Sequence, residues 1–244
     1  MLVTGGSRGI GRATALMAAE RGWAVAVNYH SAKAEAEAVV ATIRGQGGTA
    51  VALPADVTVE ADVGRLFAEA GAALGGLDAV VINAGIVAAS MTLAEMSAAR
   101  LRKMVDTNLM GALLCAREAA RILPRPREEA SGAIVFVSSI AARLGSAGEY
   151  VDYAATKGAV DSLTLGLSRE LAAQNIRVNA VRPGLIDTEI HASGGLPDRA
   201  LRLGKLTPIG RPGTAEEVAE AIVWLCSEAA SYTTGALLDV GGGR

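Results

Sequence analysis

The chain has 244 residues, 51% of them apolar, which suffices for one large α/β domain with a buried core. A net charge of −2 without a basic run excludes nucleic acid as a partner, because phosphate binding along a strand needs a clustered positive face, and 3% aromatics leave no platform for stacked bases. Cys115 and Cys226 sit inside apolar helical patterns without metal-like spacing, and His30 and His191 are the only imidazoles, so no metal centre or Ser-His-Asp triad is expected. No signal peptide precedes the first strand and no apolar run approaches the ~20 residues that span a bilayer. The expectation is a cytoplasmic protein with reduced thiols and no membrane partner.

Met1 to Val3 form a short apolar run that opens into Thr4-Gly5-Gly6-Ser7-Arg8-Gly9-Ile10-Gly11. A helix is predicted over Arg12 to Arg21, so the glycines sit between a strand and a helix start, where free N–H groups and the macrodipole favour an anion such as a pyrophosphate. Further strands are predicted at Ala24 to Asn28, Ala50 to Pro54, Ala79 to Asn83, Ala133 to Ser138, Arg177 to Arg182 and Ala236 to Val240, with helical stretches between them. Seven short, Val-rich strands alternating with helices predict a single doubly wound α/β domain over 1–244: a seven-stranded parallel sheet with helices on both faces. The first strand is shorter than the usual five or six residues, which implies either a cost in stability or missing upstream residues.

Thr4-Gly-x-x-x-Gly9-x-Gly11 resembles the cofactor turn of the classical short-chain dehydrogenases/reductases. The resemblance extends to Asn83-Ala84-Gly85 after the fourth strand, to Asn108, to Tyr153-Ala-Ala-Thr-Lys157, to Pro183-Gly184 after the sixth strand, and to the closing Leu237 to Gly242. It implies a Rossmann-type NAD(P) fold with cofactor contacts from Gly5, Ser7, Arg8, Gly9, Ile10 and Gly11. It also implies contacts from Asp56 and Val57 at the adenine, from Asn83, Ala84 and Gly85, and from Pro183, Gly184, Ile186 and Thr188 beside the nicotinamide. At the second strand end an acidic residue would bind the 2′-hydroxyl of NAD, yet Asn28, Tyr29, His30 and Ser31 stand there, with Arg8 opposite. A 2′-phosphate suits that corner, so NADP(H) is expected over NAD(H).

For catalysis the resemblance implies Asn108, Ser139, Tyr153 and Lys157. Tyr153 and Lys157 at i and i+4 share a helix face, and the lysine charge favours a phenolate that is otherwise a poor base at neutral pH. Ser139 rather than Ser138 is the expected carbonyl-orienting serine, being second of its pair, although it precedes Tyr153 by fourteen residues where the family usually has thirteen. Residues 140–152 are expected to form a loop at the pocket mouth, with Tyr150 as a substrate contact, and residues 187–213 a substrate lid.

The expected activity is hydride transfer between a nicotinamide and a small ketone, polyol or sugar. A 3-oxoacyl-carrier-protein reductase is the alternative, disfavoured because Glu128, Glu129, Gln174 and Asn175 stand where those enzymes are basic; Arg125 and Arg127 keep it open. A non-catalytic NADP-sensing protein is the alternative of another class, and a methyltransferase is disfavoured by the complete phosphate turn. Small apolar residues on more than one face of Asn108 to Arg121 and Asp152 to Leu171 predict self-association as a homotetramer.

Overall fold

The computed structural model describes residues 1–189, 195 and 198–244, Leu201 by its backbone alone. His191 and part of the expected lid therefore lie outside the described residues. Seven parallel strands, β1 (Leu2–Val3), β2 (Val25–Tyr29), β3 (Ala50–Pro54), β4 (Ala79–Ile82), β5 (Gly132–Val137), β6 (Ile176–Pro183) and β7 (Leu237–Val240), form one sheet in the order β3-β2-β1-β4-β5-β6-β7. β1 pairs with both β2 and β4, so its carboxyl end lies at the point where the winding reverses, the crevice in which open α/β sheets bind ligands.

The strand patterns explain the layers. Val25, Val27 and Tyr29 point into one core, whereas the alternate Ala26 points into the other; β1 divides in the same way, with Val3 on one side and Leu2 on the other. The first core is closed by α1 (Gly9–Glu20), α2 (Lys33–Gly45) and a late helix at Ala215–Cys226; the second by α3 (Glu60–Leu74), α5 (Gly111–Ile122) and α7 (Val151–Glu170). Between α3 and α5 lies α4 (Ala98–Val105), and α6 (Ala141–Leu144) is a single turn after β5. Both faces of the sheet are thus covered, as continuous apolar strands require. Cys115 and Cys226 are buried within these cores, and burial pushes both thiols up to about 12, so they are inert packing groups.

Three differences from the sequence expectations matter for the site. The first helix begins at Gly9 rather than Arg12, which puts Gly9, Ile10 and Gly11 in its first turn, where the N–H groups have no intrahelical acceptor. Residues 140–152 are not all loop: α6 occupies one turn, and α7 is already helical at Val151. A π-turn, Asp106–Met110, joins α4 to α5 without interrupting the helical path. In the lid region a short helix, α8 (Arg199–Gly204), precedes α9 (Ala215–Cys226), whose start is fixed by a reciprocal capping box between Thr214 and Glu217. Among the described residues no helix is long and apolar enough to cross a membrane.

Candidate active site

A cavity of about 930 Å³ runs along the carboxyl edge of the sheet from the β2 end, past the glycine turn, to α7 and the lid. Its first wall is the turn itself. Gly5 and Gly9 adopt φ of +60° and +52°, a region that side-chain-bearing residues rarely enter, and both line the cavity together with Ser7, Arg8 and Ile10. Gly11 does not line it. A Cβ there would lie 2.4 Å from the Gly5 carbonyl oxygen and 2.6 Å from Asn83 Nδ2, so this glycine lets the helix pack onto the turn rather than touching a ligand.

Two asparagines bolt the turn to the sheet. Asn28, 2% exposed, accepts from the Gly5 N–H (3.1 Å) and donates to the carbonyls of Leu53 (3.3 Å) and Ala55 (3.2 Å), tying β2, β3 and the turn together. Asn83 Nδ2 donates to the carbonyls of Thr4 (2.9 Å) and Gly5 (3.1 Å), and the Thr4 hydroxyl accepts from the N–H groups of Asn83 and Ala84. The β4 end and the turn are thereby fixed side by side, which a buried asparagine achieves by satisfying several backbone groups at once.

At the far end of β2 the expected residues are together, with differing roles. Arg8 is exposed at the cavity rim, and His30 and Ser31 are exposed beside it. Tyr29 lines the cavity but is 8% exposed and belongs to the apolar core. Asp56 has Oδ1 held by the N–H (2.9 Å) and hydroxyl (2.8 Å) of Thr58, and Oδ2 3.6 Å from His30, while Asp62 accepts from the Asp56 N–H at 3.0 Å. Val57 also lines the cavity, and Gly111 on α5 leaves it room, since a Cβ there would lie 2.8 Å from Val57 Cγ2.

The opposite wall holds the reactive groups. Tyr153 and Lys157 rise from one face of α7, with Lys157 Nζ 5.6 Å from the Tyr153 ring centroid. Burial pushes the Tyr153 phenol up to about 12, and a hydrogen bond with the Ser139 side chain works in the other direction. Burial pulls the Lys157 ammonium down to about 8 while Asp161 opposes the fall; its Nζ donates to the Val137 carbonyl at 2.7 Å. Ser139 faces the phenol and its Oγ accepts from the Ala141 N–H (3.1 Å), which starts α6. Ser138, by contrast, is 2% exposed and donates to Asp161 Oδ1 at 2.7 Å, so its hydroxyl is committed to the protein.

Asn108 does not line the cavity. It is 1% exposed in the π-turn, accepts from the Ile86 N–H (2.8 Å) and donates to the Ile86 carbonyl (2.9 Å), clamping the segment that follows β4. Gly85 sits between this clamp and the lysine: a Cβ on it would lie 3.2 Å from Asn108 Oδ1 and 3.6 Å from Lys157 Nζ. Asn108 therefore stands behind the cavity wall and positions the segment that follows β4. Pro183, Gly184, Ile186 and Thr188 all line the cavity between the turn and α7, and Gly184 is pressed against Gly241, to whose Cα a Cβ would come within 2.7 Å.

Residues to which the sequence reading gives no role at the site hold this wall in place. Asp161, one turn beyond Lys157, binds Ser138 and pairs with Arg182 (2.8 Å), which also reaches Asp239 (3.4 Å); Arg143 pairs with Asp239 in turn. Asp152, 9% exposed beside Tyr153, pairs with Arg100 of α4 at 2.9 Å. Asp161 stands at i+4 from Lys157, a spacing visible in the sequence, whereas the Arg100–Asp152 pair joins residues far apart in the chain.

The comparisons agree with this geometry. A family model described as enoyl-(acyl carrier protein) reductase matches residues 5–244. An uncharacterized oxidoreductase of Escherichia coli (strain K12), YgfF, is 52% identical over 243 residues, covering 100% of this chain and 98% of its own. The cis-4-hydroxycyclohexanecarboxylate dehydrogenase of Sinomonas cyclohexanicum is 42% identical, covering 99% and 94%. Among solved structures, a 3-ketoacyl-(acyl-carrier-protein) reductase from Brucella melitensis complexed with NADH has a TM-score of 0.90 at 32% identity, covering 100% and 96%. A short chain dehydrogenase from Burkholderia cenocepacia J2315 in complex with NADP has a TM-score of 0.90 at 32% identity, covering 99% and 96%. A Rossmann-like sheet, a glycine turn at its reversal point and a Tyr-Lys pair facing a serine thus coincide with full-length relatives, and the chain belongs to the short-chain dehydrogenase/reductase family of oxidoreductases.

Proposed function

We propose that the protein transfers hydride between NADP(H), preferred over NAD(H), and a small secondary alcohol or ketone. The observation that carries the reading is that Ser139, Tyr153 and Lys157 line one end of a cavity whose other end is the glycine turn. Gly5 and Gly9, which line the cavity, suit a pyrophosphate, and the stretch Pro183 to Thr188 suits the nicotinamide. A nicotinamide held there supplies or accepts the hydride. Tyr153, protonated throughout the neutral range because burial holds its phenol near 12, donates its proton to the carbonyl oxygen. The Ser139 hydroxyl donates a second hydrogen bond to that oxygen, and the Lys157 ammonium stabilises the phenolate left behind. In the oxidation direction it is the Tyr153 phenolate, favoured by the Lys157 charge with an oxidised nicotinamide beside it, that takes the alcohol proton.

Arg8 at the rim supports the cofactor preference, because the residues that end β2, Asn28 to Ser31, include no acid, and Asp56 on the next strand connection is engaged through Oδ1 by Thr58. One solved relative holds NADP and another NADH, so the family by itself leaves either possible. Against an acyl-carrier substrate stands the commitment of Arg125, whose guanidinium donates to Asp78 (3.0 Å) and to the Leu77 carbonyl (3.1 Å) instead of facing a partner. The reading includes a cytoplasmic homotetramer.

The test is a screen of NADPH and NADH oxidation over ketones, sugars and acyl thioesters. Turnover of small ketones, with kcat/KM for NADPH at least ~10-fold above that for NADH, is the expected result. Turnover confined to acyl thioesters would favour the carrier-protein alternative, and tight NADPH binding without any turnover would favour a sensor.

A further inference from the structure

Beyond Tyr153 the cavity wall carries a cation that the reduction does not use. Arg199, the first residue of α8, lines the cavity and is 6% exposed. Its two terminal nitrogens donate to the two carboxylate oxygens of Glu149 at 2.8 Å each, and its guanidinium lies 5.2 Å from the Tyr150 ring centroid. The Tyr150 ring in turn meets the Tyr153 ring edge-on at 6.0 Å, so one ring separates this arginine from the phenol. Among the described residues, Arg199 Nε is buried without a hydrogen-bond acceptor. An unsatisfied buried guanidinium N–H is costly, and a leucine or methionine would fill the same place over Tyr150 without that cost.

Charge narrows what completes the site. The Arg199 hydrogen bonds hold the Glu149 carboxyl below its usual range, and the Arg244 charge adds to this and acts on the Tyr150 phenol, so a second cation stands near the pair. Between the wall and Ser139 the lining is apolar, with Ile86, Val87, Ile140 and Leu144. A hydroxyl would satisfy the Nε–H but not the excess positive charge, whereas a carboxylate satisfies both. We propose that Arg199 determines substrate specificity by accepting a carboxylate, so that the substrate is an oxo acid, or its hydroxy acid in reverse, with a short apolar body between the two groups. This rests on the reading that the cavity presents a carbonyl to Tyr153. Glu149 holds the guanidinium in plane, Tyr150 supports it from one face, and Nε is left for the ligand.

The test compares 4-oxocyclohexanecarboxylate, its methyl ester and cyclohexanone with NADPH, in the parent and in Arg199→Met, Arg199→Lys and Glu149→Gln. The parent should favour the acid over the ester in kcat/KM by at least ~10-fold, Arg199→Met should abolish that ratio, and Arg199→Lys should keep part of it. Glu149→Gln should raise the ratio, because it removes the competing carboxylate while leaving the arginine, and it decides the matter if Arg199→Met fails to fold. Cyclohexanecarboxylate, which has no carbonyl to reduce, is titrated calorimetrically into the NADPH complex; binding at least ~10-fold weaker in Arg199→Met supports the site. Equal kcat/KM for acid and ester in the parent, or a ratio that survives Arg199→Met, or one that Glu149→Gln leaves where it was, overturns it. If no ketone is turned over at all, the reduction reading fails while the titration still decides whether Arg199 binds a carboxylate.

Discussion

Two side chains, Lys157 and Tyr153, are displaced from their ordinary titration ranges in opposite senses, and together they fix a pH dependence. Burial brings Lys157 down to about 8 and lifts Tyr153 to about 12, so below pH 8 the free enzyme carries a charged lysine beside a protonated phenol. In the reduction direction kcat/KM should be flat through neutrality and fall above about pH 8 as the lysine charge is lost; a profile still flat at pH ~9.5 contradicts the assignment. Unfolding does not explain such a fall. Because the folded lysine sits below its ordinary 10.5, the unfolded chain binds the extra proton between about 8 and 10.5, so this group's contribution to stability rises with pH across that window. Circular dichroism at pH ~9 should therefore show an intact fold. Asp161 opposes the depression of Lys157, so Asp161→Asn should move the alkaline fall to lower pH, and an unmoved profile would assign Asp161 a purely structural role. Cofactor choice belongs to the same scale. Tyr29 packs in the apolar core, so an aspartate there would bury a charge as well as discriminate against the 2′-phosphate. Arg8→Ala is the cleaner substitution, since Arg8 is exposed: it should weaken NADPH by at least ~10-fold and leave NADH within about twofold, and equal losses for both would argue against a 2′-phosphate contact.

Elements that carry the site differ in how visible they were. The glycine turn was legible because its strand, its helix and the special backbone of Gly5 and Gly9 all leave local marks. The strands were legible within a residue or two, since most are runs of buried Val, Ala, Ile and Leu bounded by polar or turn residues; β7 is half-exposed and shows only as a short apolar run before the final glycines. The π-turn was not, because one extra residue in a continuous helix leaves the apolar periodicity almost unchanged. Asn108 was therefore found by resemblance, and its clamp on Ile86 emerged only from contacts between distant segments. The packing role of Gly11 is invisible in sequence for a related reason: a glycine that admits a neighbouring backbone looks there like one that admits a ligand. Gly11→Ala should force the turn apart, because the new methyl would meet the Gly5 carbonyl and the Asn83 amide, neither of which is free to move. Overpacking of this kind costs about 1–3 kcal/mol, so Tm should drop by several degrees and NADPH affinity should fall with it. Calorimetric melting with Tm within about a degree of the parent would show that the turn relaxes cheaply.

At the level of the whole molecule the chain leaves apolar side chains uncovered on the helices that flank the site. Val105 (43%), Met110 (43%) and Leu165 (40%) are exposed on α4, the π-turn and α7, alongside Ala155 and Gly166. Small residues allow close approach of a second helix pair, and covering these faces removes apolar surface from water, so self-association as a homotetramer is the expected state. Sedimentation should give a tetramer at micromolar concentration and a smaller species for Leu165→Lys; a monomeric parent would rule this out. Alternation of strands and helices made the doubly wound sheet readable, but oligomeric state and substrate depend on surfaces brought together only by folding. The claim on which the rest depends is that this cavity moves hydride and that Tyr153 moves the proton. The most direct measurement is NADPH oxidation by the parent and by Tyr153→Phe on a ketone that the parent reduces, with NADPH affinity followed by fluorescence. Tyr153→Phe should lose at least ~10²-fold in turnover and bind NADPH as the parent does. Near-parental turnover by Tyr153→Phe would contradict the account and point to Tyr150, whose ring is the neighbouring phenol.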